Sequence, residues 1–78
     1  MKKPQFVAES DLAALAKKFR IAAGKTKVEV ARQMEVKPSS VYHAEESPDL
    51  PYTKLRRRMI EANSNLKVSG PFFRLEGK

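Results

Sequence analysis

The stretch Thr26-Lys-Val-Glu-Val-Ala-Arg-Gln-Met-Glu-Val-Lys-Pro-Ser-Ser-Val-Tyr-His-Ala-Glu45 decides the architecture. Thr26 followed three residues later by Glu29 is a capping-box pattern, in which hydroxyl and carboxylate each satisfy a backbone N–H left free at a helix start. Val30, Ala31 and Met34 then recur at helical spacing and form the inner face of that helix. Pro38 suits the first position of a following helix, because its φ is already helical and its missing N–H costs nothing there. The stretch therefore predicts two short helices joined by a tight turn at Glu35 and Val36, the second running over residues 38–45.

Working outward, Leu12, Leu15, Ala16, Phe19, Ala22 and Ala23 fall at three- and four-residue steps, which predicts a helix from Ser10 that Gly24 ends. Downstream, Glu46-Ser-Pro-Asp-Leu-Pro51 is a loop, since two prolines remove donors and push their predecessors to extended geometry. A fourth helix begins near Thr53, carries Leu55, Met59 and Ala62 at helical spacing, and stops at Asn63-Ser64-Asn65. Beyond it the period becomes two, with Leu66, Val68, Gly70 and Phe72 on one side and Lys67, Ser69, Pro71 and Phe73 on the other. Gly70-Pro71 divides this tail into two extended pieces, 66–69 and 72–75. A lone strand cannot satisfy its own backbone, so the tail pairs either with itself as a hairpin or with a second subunit.

The 78 residues hold 16 Lys and Arg against 9 Asp and Glu, a formal charge of +7 and a pI near 10.0. That length is one domain, and about 60% of its surface is hidden on folding, a thin margin that a second copy or a ligand would widen. With no cysteine, disulfides, cysteine-ligated metals and cysteine nucleophiles are excluded, and a reducing cytoplasm is the expected compartment. No stretch approaches membrane-spanning length. At 41% hydrophobic the chain is too apolar for a disordered basic tail, so the positive surplus is expected on a folded surface that favours a polyanion. Ser39 and Ser40 have only His43 near them as a base and no oxyanion loop, which argues against an enzyme, and no cofactor is implied. His43 has no second His or Cys with which to bind a metal. Glu45, Glu46 and Asp49 lack the spacing of a calcium loop.

The central stretch resembles the Xre/Cro-type helix-turn-helix family of DNA-binding domains. That resemblance implies an all-α, compact four-helix, lambda-repressor-like domain over residues 10–63, preceded by a flexible N-terminal arm (1–9) and followed by an extended dimerisation segment (64–78). Ala31 is small enough to let two short helices cross steeply, and Val36 and Val41 would lock the angle from inside. Glu35 stands where the family often has a left-handed glycine, at a cost on the order of 1 kcal/mol. Arg20 and Glu45 match positions that form a buried ion pair in many members.

By the same resemblance the second helix of the motif enters the major groove, with Lys37, Pro38, Ser39, Ser40, Tyr42 and His43 facing bases and phosphates while Val41 and Ala44 turn inward. Ser39 and His43, four apart, share one helical face and are expected to reach base edges. Phosphates are expected at the helix start around Thr26, with Lys25, Lys27 and Lys37. Lys54 and Arg56 are added because cations are unfavourable at a helix N-terminus unless an anion is near. Arg56-Arg57-Arg58 otherwise reads as a solvated face, its members pointing three ways.

The tail plan, from the Pro-Asp loop through Leu55-Arg-Arg-Arg-Met-Ile-Glu-Ala62 to Asn63-Ser-Asn-Leu-Lys-Val-Ser69, is similar to antitoxin regulators of the HipB and HigA kind. This implies a homodimer interface at Leu66, Val68, Phe72 and Phe73, with a truncation at residue 66 leaving a helical, weakly binding monomer. The implied partners are double-stranded DNA on a palindromic operator, a second copy of the chain, and a cognate toxin. The implied function is a transcriptional repressor acting as an antitoxin. Alternatives are a phage repressor-like regulator without a toxin and an adaptor that uses the motif for protein contacts alone.

Overall fold

In the computed structural model, which describes residues 5–69 and 74–77, the first helix, α1 (Glu9–Ala22), starts one residue before the expected Ser10. The Asp11 carboxylate accepts the Ala8 N–H at 3.0 Å, and Glu9 and Asp11 both sit in the first turn, where negative charge offsets the helix dipole. At its far end Lys25 N–H reaches Arg20 O (3.2 Å) and Gly24 N–H reaches Ile21 O (2.9 Å), with Gly24 left-handed at φ 71°. These paired bonds satisfy carbonyls that the helix itself leaves open. Helix α2 (Lys27–Met34) opens on the expected capping box: Glu29 N–H donates to Thr26 Oγ1 (3.1 Å) and Thr26 N–H to Glu29 Oε1 (2.8 Å).

Helix α2 ends with the same bond pattern as α1, Val36 N–H to Ala31 O (2.9 Å) and Glu35 N–H to Arg32 O (3.3 Å), and the left-handed residue is Glu35 at φ 60°. The turn delivers the chain to α3 (Pro38–Glu46), with Pro38 in its first turn as expected. Helix α4 (Thr53–Ala62) follows the loop and ends at Asn63. The Thr53 hydroxyl donates to the Glu9 carboxylate, tying the start of α4 to that of α1.

The four helices were legible in the sequence, but the extended part is larger than a single strand or hairpin. Strands β1 (Gln5–Phe6), β2 (Leu66–Ser69) and β3 (Arg74–Gly77) form an antiparallel sheet in the order β1-β3-β2, so the protein is mostly helical rather than all-α. The tail closes on itself, with Leu66 opposite Gly77, Val68 opposite Leu75 and Ser69 opposite Arg74. Gln5 and Phe6, expected within a free N-terminal arm, pair with Leu75 and Arg74, because β3 as the middle strand needs partners on both sides.

Val68 is 1% exposed and Leu75 3%, and both join the core of Leu12, Ala16, Val30, Ala31, Met34, Val41, Ala44, Leu55, Met59 and Ile60. Val68, expected at a dimer interface, is interior packing within a single chain, and Leu66 packs partly against the same core. Phe72 and Phe73 lie outside the described residues. Ala22, Ala23 and Ala62, expected on inner faces, are exposed at helix ends. Among the described residues, no helix is long and apolar enough to cross a membrane.

Candidate nucleic-acid interface

Helix α3 is held from its inner side by three kinds of contact. Val41 and Ala44 are fully buried in the core. Glu45 accepts two bonds from Arg20, Nε to Oε2 at 2.6 Å and Nη2 to Oε1 at 3.1 Å, while Arg20 Nη1 donates to Lys25 O at 2.9 Å. This is the expected ion pair, in the bidentate fork geometry that only arginine offers a carboxylate. At the end of α3, Arg56 donates from Nε to Ala44 O (2.8 Å) and from Nη2 to Ser47 O (2.6 Å).

Arg56 was expected at a phosphate, and the structure corrects that: the residue is 0% exposed. Its guanidinium faces the carbonyl end of α3, whose partial negative charge supplies what a phosphate was invoked to supply. Burial lowers its pKa, and the carboxylates of Glu9 and Asp49 act in the opposite direction. The signal that would have placed it inside is spacing, since Arg56 and Ile60 are four apart and lie one position beyond Leu55 and Met59 on the same stripe. The neighbouring arginines also bond backbone carbonyls: Arg57 Nη2 to Val68 O (3.0 Å) and Arg58 Nη2 to Met34 O (3.2 Å) at the end of α2. The arginine run is a set of struts from α4 to three other elements; Arg58 stays exposed, as a solvated face implies, and Arg57 is half-buried.

On the outer side of α3, Lys37, Pro38 and Ser39 are exposed, Ser40 and His43 are half-buried, and Tyr42 is 49% exposed. The Lys27 ammonium lies 5.1 Å from the centre of the Tyr42 ring. The His43 ring meets Tyr42 edge-on at 5.4 Å and stacks on Tyr52 at 6.1 Å, with its Nδ1 3.4 Å from Ser47 Oγ. Tyr52 was not anticipated as a neighbour of the site; it arrives from the loop that precedes α4. Glu46, at the end of the helix, pairs with Lys17 of α1 at 2.9 Å. That bond, together with the charge of Lys27, holds its carboxyl below the usual range.

The remaining expected contacts divide. Lys54 is exposed in the first turn of α4. Lys25 is engaged elsewhere, its ammonium donating to Asn63 Oδ1 (2.9 Å) and Gln33 Oε1 (3.1 Å). At Thr26 the Glu29 carboxylate already occupies part of the place expected for a phosphate, and its bond from the Thr26 N–H keeps its pKa lowered. Among the described residues no three His, Asp or Glu side chains come together to hold a metal ion. No protein family model, curated protein or solved structure matches the chain.

Proposed function

We propose that the chain is a sequence-specific DNA-binding regulator of the lambda-repressor-like helix-turn-helix kind, with α3 as the helix that enters the major groove. One observation carries the reading: α3 is fixed by core packing, a bidentate ion pair and Arg56 on its inner side, while Ser39 and Tyr42 on its outer side are open. A helix about to enter a groove needs both properties, because bases are read only by side chains whose backbone does not move. Ser39, Tyr42 and His43 are the base-facing residues, and Lys37 with the exposed Lys54 meets phosphate. The net charge of +7 supplies the long-range attraction to a polyanion.

Selection of bound duplexes from a random pool tests this. The expected result is a recovered consensus whose binding weakens with salt at a log–log slope of about −0.9 per neutralised phosphate. An inverted repeat in that consensus would show two copies binding together, and a single half-site would show one. No enrichment and no salt-dependent binding would leave the protein-contact adaptor instead.

A further inference from the structure

We infer that Lys27 is a positioning residue for base recognition: its ammonium holds the Tyr42 ring in place on the outer side of α3, so α2 shapes sequence preference without touching a base. The inference deepens the DNA-binding reading and rests on it. Tyr42 is half exposed and its side chain turns about two bonds, so without neighbours the ring would sample several orientations. Two neighbours restrict it. The edge-on His43 ring stands on one side at 5.4 Å, itself backed by Tyr52, and the Lys27 ammonium stands over the ring at 5.1 Å, within reach of the electron-rich ring face.

Lys27 has a rival partner, since its charge is felt by Glu46 one turn beyond Tyr42 on α3. Glu46 is drawn away by Lys17, whose ammonium bonds both of its oxygens, at 2.9 and 3.3 Å. The Lys17–Glu46 pair therefore leaves Lys27 to the ring. A ring fixed before encounter presents one edge and one face to the groove, which suits contact with a thymine methyl group, and pre-orientation removes the ordering cost from the bound state.

The test uses the full chain, the consensus duplex from pool selection and its single-base-pair variants, over a series of salt concentrations. Lys27→Gln is expected to lower discrimination at the base pair read by Tyr42 by about two- to fivefold, the equivalent of an exposed cation–π contact, with the salt slope unchanged. Lys27→Arg should restore it, and in a Tyr42→Leu background Lys27→Gln should change nothing further. A uniform loss on every duplex with the slope reduced by about one would make Lys27 a phosphate ligand and overturn the inference. Additive effects of Lys27→Gln and Tyr42→Leu would overturn it as well. A measurement without DNA separates the two levels: ring-current displacement of the Lys27 side-chain protons in NMR spectra should be present in the wild type and vanish in Tyr42→Leu. Absence of that displacement overturns the positioning role while leaving DNA binding intact, and absence of any selected duplex overturns DNA binding itself.

Discussion

The Glu45 side chain has no surface in water, and the Arg20 guanidinium is paired with it at 2.6 Å. Arg20→Ala would leave that carboxylate buried and unpaired, at a cost of about 3–5 kcal/mol, and calorimetry should record a fall in Tm upward of about 12 °C. Arg56 differs because its partners are carbonyls. Arg56→Met keeps the apolar stem but strands Ala44 O and Ser47 O, a loss of about 1–3 kcal/mol for each carbonyl left without a replacement donor. Under the proposed function, the salt slope of duplex binding should be unchanged in this variant, since Arg56 is buried, and Lys37→Gln should instead reduce the slope by about one. Glu29 gives a pH signature. Its carboxyl pKa is lowered in the folded chain from 4.5, so its contribution is present above that value and is lost as pH falls through the lower folded value. In urea titrations the stability gap between the wild type and Glu29→Ala should therefore be largest at neutral pH and shrink below pH 4.5.

The link between α2 and α3 turns on one left-handed residue. Glu35 adopts φ 60° and ψ 44° in the same hydrogen-bond pattern that Gly24 completes after α1, so the two turns differ chiefly in the residue that bears the strain. Glu35→Gly removes a penalty of about 1–2 kcal/mol and adds back about 0.5–1 in unfolded-chain freedom. A gain of up to about 1.5 kcal/mol is expected, and Glu35→Val, β-branched at that φ, should lose stability; thermal melts distinguish the two. This turn was legible in advance because its signals are local: a capping box, a proline at a helix start, a residue where glycine is usual. The Arg20–Glu45 pair was legible only through family resemblance, since nothing local links residues 25 apart. Arg56 was misread for a physical reason, whereas Arg58 is exposed as a solvated face predicts. Charge predicts solvent, and a long side chain that threads past apolar neighbours to a carbonyl is visible only once the packing is known.

At the scale of the whole molecule, the sheet takes on a different role from the one the alternating tail suggested. Val68 and Leu75 face each other across β2 and β3 and enter the helical core, so deleting residues 66–78 takes away interior packing. Such a truncation should lose cooperative unfolding rather than survive as a folded monomer, and circular dichroism melts would show it. The outer edge of β2 is closed by its own chain: Leu66 N–H donates to Ser64 Oγ (3.1 Å), Val68 N–H to Glu61 Oε2 (2.9 Å), and Val68 O accepts from Arg57 (3.0 Å). An open strand edge is a template for pairing with another chain, and these contacts occupy three of the groups that such pairing would use. A two-fold assembly through β2 would first have to break them. The double variant Arg57→Ala/Glu61→Ala should therefore associate more strongly than the wild type, with sedimentation shifting to larger species as concentration rises. Equal sedimentation at every concentration would mean that these side chains do not guard the edge. Wild-type dimers that dissociate when β2 is disrupted would show that the edge opens and pairs in spite of them.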